Sequence, residues 1–399
     1  MFNDVSASSP SSPSPRFTRE LPHKVEALDG LRGIAILIVV CSHFRSIVSD
    51  DPYFDQVTPW VFVNTLFSRG FLGVDLFFVL SGFLITSLLF KIDVQKPKRS
   101  FGQFYMRRVL RLFPALFVLL LASFIISYFE KFSMSDQWKS TWPALLFVSN
   151  WNLQWNFFHF QSDIGHLWSL AVEEQFYIIW PSILLLHRMF RKSQWILSIA
   201  VTSMIIWIIF HRIDLLNSRK PWLFLYSQTD TRIDSMLVGC LAALFYRYVN
   251  LRPAIIKYAG FIAFLLVLPI AYQFADYKKD FLYRGGFTVI AILLAIIVLA
   301  SVSREPSPRS FLELPILQWF GKVSYGLYLW HAFIFRVAER HFHFGSNSLR
   351  IALVTIFSLL VTQFSWKYIE QPFLKLKDRR FQDSSKLSFD KAKDFSRID

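Results

Sequence analysis

The apolar residues of this chain lie in continuous blocks of 17 to 22 residues, separated by shorter polar segments. An α-helix of that length crosses the hydrocarbon core of a bilayer, which is roughly 30 Å thick. The blocks do not show the roughly ten-residue alternation of an outer-membrane β-barrel, and they are not typical of a soluble enzyme. The sequence therefore predicts an all-α fold, a polytopic transmembrane helical bundle. About ten spans are predicted, near residues 31–48, 71–90, 112–129, 166–187, 195–211, 233–249, 254–275, 285–303, 316–335 and 350–369.

The basic residues are distributed unevenly between the two sides of the predicted bundle. With the amino terminus inside, 27 of the 43 Lys and Arg residues fall on the inner side and 14 on the outer side. This asymmetry follows the positive-inside rule, so both termini are predicted to be cytoplasmic. Basic loops that face anionic headgroups also explain the net charge of +15, so we expect membrane lipids and no nucleic acid as partners.

The chain divides into a membrane domain and two polar ends. Residues 1–27 begin with a Ser/Pro-rich stretch and are predicted to be a disordered cytoplasmic tail. Residues 28–372 form the predicted transmembrane domain, and residues 373–399 a charged cytoplasmic tail. Cys41 and Cys240 are too few for a disulfide scaffold or a Cys-rich zinc site, and no metal is expected.

Ionisable residues in the first span are candidates for function, because a charged side chain costs free energy at membrane depth. Arg32 and His43 are eleven residues apart. On a helix this places them within roughly 20° of one face and about 16 Å apart along the axis. A functional pair is one interpretation. An Arg that extends to the headgroups and a His that packs between helices is equally compatible with the pattern.

Later spans bury further polar residues. Asp75 lies in the second span, and His166, Ser169 and Glu173 share one helix face in the fourth. Glu173 and Glu174 are adjacent, so their side chains diverge by about 100° and are not expected to serve one site equally. Glu173 is the better candidate for a polar cavity, whereas Glu174 is equally compatible with an ion pair between helices.

The segment before the third span carries three arginines, Arg107, Arg108 and Arg111. Arg108 and Arg111 are three residues apart and share one face of a helix. The positive-inside rule explains basic residues here, but guanidinium groups also bind phosphates through paired hydrogen bonds. A phosphate-rich cytosolic donor is the second interpretation. The Walker and dinucleotide-binding glycine motifs that ATP or NAD would need are absent from the sequence.

The ninth predicted span carries Ser324, Tyr325, Tyr328 and His331, each of which is also compatible with local packing. The candidate substrate-binding residues of the whole chain are Asp75, His166, Ser169 and Tyr325.

Six segments, taken in order, resemble the membrane-bound acyltransferase-3 family. The resemblance covers roughly residues 26–375. The family fold is a ten-helix bundle with cytoplasmic termini, in agreement with the spans predicted above. The segments that carry the resemblance are LDGLRGIAILIVVCSHF, GFLGVDLFFVLSGFLI, FYMRRVLRLFP, HLWSLAVEEQFYIIWP, GKVSYGLYLWH and YIEQPF.

The resemblance implies an activity and a location. Members of the family move an acyl group, commonly acetyl, from acyl-CoA to a hydroxyl of an extracytoplasmic glycan or glycolipid. We therefore expect acyl-CoA (acetyl-CoA) as the donor, a cell-envelope or exported glycan as the acceptor, and the bacterial inner membrane as the location. Some relatives carry a fused external hydrolase-like domain, which this chain is expected to lack.

The resemblance also assigns roles to residues of this sequence. The residues that match the family's functional positions are the essential His43 with its partner Arg32, the donor-side Arg108 and Arg111 with the adjacent Arg107, and the buried acids Glu173 and Glu174.

Acyl transfer from a thioester to an alcohol needs a base for the hydroxyl proton. An imidazole such as that of His43 titrates near neutral pH and suits this task. Glu173 is expected to hold the imidazole in the required tautomer, as the acid does in a catalytic triad. Direct transfer and an acylated histidine both remain open at this point.

A proton-coupled transporter or exporter is the alternative function. Buried His, acidic and Arg residues also relay protons in such proteins. Transporters often show internal repeats and helices broken at matching positions, and neither is visible in this sequence. The arginine cluster also has no evident task in a small-molecule exporter.

Overall fold

Every regular element in the described part of this computed structural model is helical, as the sequence predicts. The structure describes residues 18–22, 24–44, 70–92, 97–151, 163–190, 193–250, 252–274, 279–303, 309–343 and 345–376. The main helices are α1 (Glu26–Ser42), α2 (Phe71–Leu89), α3 (Pro97–Phe129), α4 (Met134–Leu145), α5 (Trp168–Met189), α6 (Gln194–Asn217), α7 (Asp234–Tyr248), α8 (Pro253–Phe274), α9 (Phe287–Ser301), α10 (Pro315–His341) and α11 (Asn347–Ser365). Shorter helical segments are Ser149–Trp151, Gly165–Leu167, Trp222–Ser227, Thr229–Arg232, Leu282–Gly286, Arg309–Leu312 and Trp366–Glu370.

Each of the predicted spans overlaps one of these helices. Within the described residues, seven helices are long and apolar enough to cross a membrane. Helices α1 and α7 are shorter, with 17 and 15 residues. Helix α10 is long but carries ionisable residues along its length, including Lys322, His331 and Arg340. The all-helical membrane fold is therefore confirmed, whereas the count of ten and the cytoplasmic termini stay predictions.

Helix α2 lies at the centre of the bundle and α8 and α11 at its periphery. Helix α2 contacts α1, α5, α7 and α9. Of its most apolar stretch of 18 residues, 72% is buried. In α8 and α11 the corresponding share is 22%. Their outward side chains are large and apolar, such as Phe261 and Leu360. Such side chains suit contact with lipid tails, whereas a soluble protein would cover them.

Glycines bring α2 into direct backbone contact with two neighbours. A Cβ atom added at Gly73 would lie 2.4 Å from the carbonyl oxygen of Ala35 on α1. One added at Gly82 would lie 1.9 Å from the carbonyl oxygen of Met236 on α7. Any side chain at these positions would push the helices apart, so small residues set the spacing of the central layer.

The structure describes a part of each predicted polar end. The backbone N–H of Arg19 donates to the carbonyl of Arg247 at 2.8 Å, so this amino-terminal segment contacts the carboxyl-terminal end of α7. At the other end, helical structure continues to Leu376, past the predicted boundary. A helix that keeps its hydrogen-bond ladder beyond the apolar stretch explains this extension. Residues 1–17, 23 and 377–399 of the predicted tails lie outside the described residues.

Candidate active site

A cavity of about 470 Å³ lies between α2, α3, α5 and α10. It extends from Leu21 and Lys91, at the predicted cytoplasmic side, to Ser169 and Tyr328 in the interior of the bundle. The structure brings eight of the sequence-predicted site residues together on its wall, although they come from four separate helices. These residues are Arg32, Arg107, Arg108, Arg111, Ser169, Glu173, Glu174 and Tyr325.

The arginines of α3 differ in how they are held. Arg108 forms an ion pair with Glu174 through two hydrogen bonds, the longer of them 3.3 Å from Nε to Oε2. Its guanidinium group also lies over the ring of Tyr177, 3.4 Å from the ring centroid. Arg107 and Arg111 stay exposed at the cavity wall. The wall thus combines one arginine of fixed orientation with two that present their charge to the cavity.

Glu173 and Glu174 line the same cavity but bind different helices. Glu173 accepts hydrogen bonds from the hydroxyl of Ser81 on α2, at 2.5 Å, and from the hydroxyl of Tyr177, at 2.7 Å. Glu174 binds Arg108 on α3. The side chains diverge as predicted, yet both reach one site, because the cavity runs along the face of α5 between α2 and α3. The ion pair foreseen as the alternative for Glu174 is present.

Two tyrosines line the end of the cavity that lies deepest in the bundle. The Ser169 and Tyr328 hydroxyls share a hydrogen bond of 2.7 Å, and the Tyr328 hydroxyl also donates to the backbone carbonyl of His166. The Tyr325 hydroxyl donates to the carbonyl of Leu112 at 2.7 Å. Tyr328 was not among the predicted site residues. Its spacing from Tyr325 and His331, three residues each way, was the available signal, because it puts all three near one face of α10.

Three imidazoles form a cluster behind Tyr328, which we call the histidine cluster: His43, His166 and His331. The ring centroids of His43 and His331 are 4.9 Å apart, and those of His166 and His331 are 5.8 Å apart. The Nδ1–H of His43 donates to the carbonyl of Val39 at 2.9 Å, so a neutral ring carries its lone pair on Nε2. No metal-binding group of three or more His, Cys, Asp or Glu residues occurs in the part of the chain that the structure describes.

The structure corrects the expected source of the His43 orientation. Glu173 was expected to hold the imidazole, but its carboxylate is engaged with Ser81 and Tyr177. A backbone carbonyl one turn earlier in α1, that of Val39, supplies the orienting contact instead. Neither His43 nor His166 lines the cavity itself, but the ring of His166 lies 5.3 Å from that of Tyr328, which does line it.

Asp75 lies in a different environment from the other predicted site residues. Its carboxylate accepts hydrogen bonds from Arg232 at 2.8 Å and from Ser235 at 2.9 Å, and neither member of the Asp75–Arg232 ion pair is exposed. Arg232 also lies 3.6 Å from the centroid of the Phe287 ring. Asp75 does not line the cavity. Asp75 therefore links α2 to the segment Thr229–Arg232 and to the start of α7.

Comparison with known proteins gives matches along most of the chain. The family model described as an acyltransferase domain, of the acyltransferase-3 type, matches residues 25–366. The chain is 31% identical over 380 residues to the peptidoglycan O-acetyltransferase OatA of Listeria monocytogenes, with 90% of this chain and 57% of that protein covered. It is also 31% identical over 373 residues to the O-acetyltransferase OatA of Staphylococcus aureus, with 89% and 58% covered. The chain thus spans just over half the length of these curated relatives. No solved structure matches it.

Proposed function

The chain belongs to the acyltransferase-3 family, and from that premise we propose that it is an O-acyltransferase of the bacterial inner membrane. It moves an acyl group, commonly acetyl, from acyl-CoA to a hydroxyl of a cell-envelope glycan. One observation carries the proposal: a single cavity gathers the arginines and buried acids, and its inner end adjoins the histidine cluster that contains His43.

The donor binds at the arginine-lined end of the cavity. Arg107 and Arg111 are exposed there, and paired guanidinium groups suit the phosphates of coenzyme A. Arg108 is held by Glu174 and Tyr177, so little of its conformational freedom is lost when a phosphate arrives. The thioester arm then runs inward toward Ser169 and Tyr328. The wall therefore supports a donor with an anionic head and a long neutral arm.

His43 acts as the general base. Its Nε2 takes the proton of the acceptor hydroxyl while the hydroxyl oxygen forms a bond to the acyl carbon. The carbon–sulfur bond breaks, and the coenzyme A thiolate receives the proton from His43, so that atoms and charges balance. The hydrogen bond from Nδ1–H to Val39 supports this role, because it leaves the lone pair on Nε2. Arg32 lines the cavity near the proposed donor site. Its spacing from His43 puts both residues on one helix face.

The acceptor is a glycan of the peptidoglycan class. The Listeria relative is named a peptidoglycan O-acetyltransferase, and the Staphylococcus relative an O-acetyltransferase. Both are longer than this chain, so the acceptor is carried over as part of the proposal.

The proposal is tested by thiol release from acetyl-CoA with the purified protein in lipid nanodiscs. The assay compares wild type, His43→Ala and the control His187→Ala, with and without soluble peptidoglycan fragments. His187 lies near the end of α5 and does not line the cavity. We expect release that depends on the fragments, and a loss of about 10²-fold or more in His43→Ala alone, as for removal of a general base.

Two results would contradict the proposal. Equal rates for wild type and a folded His43→Ala protein would remove His43 from the reaction. A complete lack of acetyl-CoA turnover by wild type with every glycan would favour the transporter alternative.

A further inference from the structure

Two imidazoles of the histidine cluster carry lone pairs that lack a donor. His331 donates its Nδ1–H to the carbonyl of Leu327 at 2.8 Å, so Nε2 of the neutral ring is an acceptor. His166 donates its Nε2–H to the carbonyl of Leu329 at 3.2 Å, so its Nδ1 is an acceptor. Within the described residues, both acceptor nitrogens are buried and have no hydrogen-bond partner.

These unpartnered atoms need an explanation. His331 is 0% exposed and His166 is 7% exposed, so bulk water does not reach them freely. Buried polar atoms in folded proteins are almost always paired, so these two nitrogens are expected to accept hydrogen bonds from a bound molecule. Two such atoms on rings 5.8 Å apart are close enough to serve one bound molecule.

The chemistry of the atoms limits what that molecule can be. Both are acceptors, so the ligand must donate hydrogen bonds. Carboxylate, thioester and phosphodiester groups have no donor at neutral pH and do not fit. A metal ion is not supported either, because no group of three or more His, Cys, Asp or Glu residues that could hold one occurs among the described residues. The hydroxyls of a sugar supply donors, and each has an oxygen that can be acylated.

The position of the cluster agrees with this ligand. Tyr328 stands between it and the donor cavity, with its ring centroid 5.3 Å from that of His166 and 5.9 Å from that of His331. Ser169 hydrogen-bonds Tyr328 on the cavity side. A thioester that enters along the cavity and a hydroxyl held by the cluster would therefore meet at Tyr328, next to His43.

We propose that the histidine cluster is the subsite for the acceptor hydroxyls, with His331 Nε2 and His166 Nδ1 accepting their hydrogen bonds. This proposal deepens the proposed function and rests on it for the identity of the acceptor. It assigns His331 to the binding of the acceptor. His331 is not expected to contact the donor.

The test measures binding, so it does not depend on turnover. Soluble peptidoglycan fragments and, separately, acetyl-CoA are titrated into wild type, His331→Phe, His331→Gln and His343→Phe in nanodiscs. Phe keeps a ring but removes the acceptor, Gln restores an acceptor oxygen, and His343 is exposed and outside the cluster. We expect the Kd of the fragments to rise about tenfold or more in His331→Phe and to recover partly in His331→Gln. His343→Phe and the Kd of acetyl-CoA should stay unchanged.

A ligand-side control covers the case in which His331→Phe does not fold. Fragments whose hydroxyls are already acetylated should bind wild type more weakly than the unmodified fragments. Equal binding of both fragments by wild type, or an unchanged fragment Kd in folded His331→Phe, would overturn the subsite. If the binding pattern holds but acetyl-CoA is never turned over, the subsite stands and the proposed function fails.

Discussion

Arg108 is held from two directions at once, by the carboxylate of Glu174 and by the ring of Tyr177. Arg111, three residues on, lines the same cavity without these restraints and stays exposed. The two arginines therefore have different roles in the proposed site. Arg108 fixes the shape of the wall, and Arg111 provides the charge that a phosphate group would meet.

This division predicts different outcomes for the two arginines. Arg111→Ala should raise the Kd of acetyl-CoA by about 10- to 100-fold, because a hydrogen bond to a charged group contributes roughly 1.5–3 kcal/mol. Its thermal stability should stay close to that of wild type. The control is Arg252→Ala, an exposed arginine before α8 that does not line the cavity. If both variants bind acetyl-CoA like wild type, the cluster serves membrane topology only.

At the scale of helices, the contact between α1 and α10 aligns the site. Helix α1 carries Arg32 and leads into His43, and α10 carries Tyr328 and His331. A Cβ atom added at Gly321 would lie 1.9 Å from the carbonyl oxygen of Asp29, so the two backbones touch. Movement of one helix against the other would separate the imidazoles from the cavity.

Gly321→Ala should therefore lower both stability and activity. Overpacking of this kind costs about 1–3 kcal/mol, and thermal unfolding in nanodiscs measures it. Gly102→Ala is the matched control, because a Cβ atom at Gly102 meets nothing within 4 Å. An unchanged melting temperature for Gly321→Ala would contradict the direct contact between α1 and α10.

The Asp75–Arg232 pair makes a second prediction at this scale. Both side chains are fully buried, so Asp75→Ala leaves a charge without its partner and should cost about 3–5 kcal/mol of stability. The double variant Asp75→Ala/Arg232→Met should recover much of this loss, because neither charge of this buried pair remains. If Asp75→Ala instead keeps wild-type stability and only weakens acceptor binding, Asp75 is a substrate residue, as its sequence position had indicated.

At the scale of the whole molecule, local pattern and tertiary contact contribute differently to what sequence can predict. The helices follow from apolar blocks, and Arg108, Glu173 and His43 are visible because charge is rare inside a membrane. Partners that lie far apart in the chain are not visible in this way. His331 joins His43 only because α10 packs along α1. Asp75 meets Arg232, 157 residues away, only in the folded bundle.

In the proposed site, the two substrates bind on opposite sides of Tyr328. The arginines lie toward the predicted cytoplasmic side, and the histidine cluster lies beyond the inner end of the cavity. We thus propose that one bundle passes an acyl group from a donor on one side of the membrane to an acceptor on the other.

Sealed proteoliposomes test whether the acyl group is transferred across the membrane. Radiolabelled acetyl-CoA is enclosed in the vesicles, soluble peptidoglycan fragments are added outside, and label on the fragments is measured for wild type and His43→Ala. We expect labelled fragments in the outer compartment with wild type and none with His43→Ala. Label that appears only when donor and fragments share one compartment would contradict transfer across the membrane.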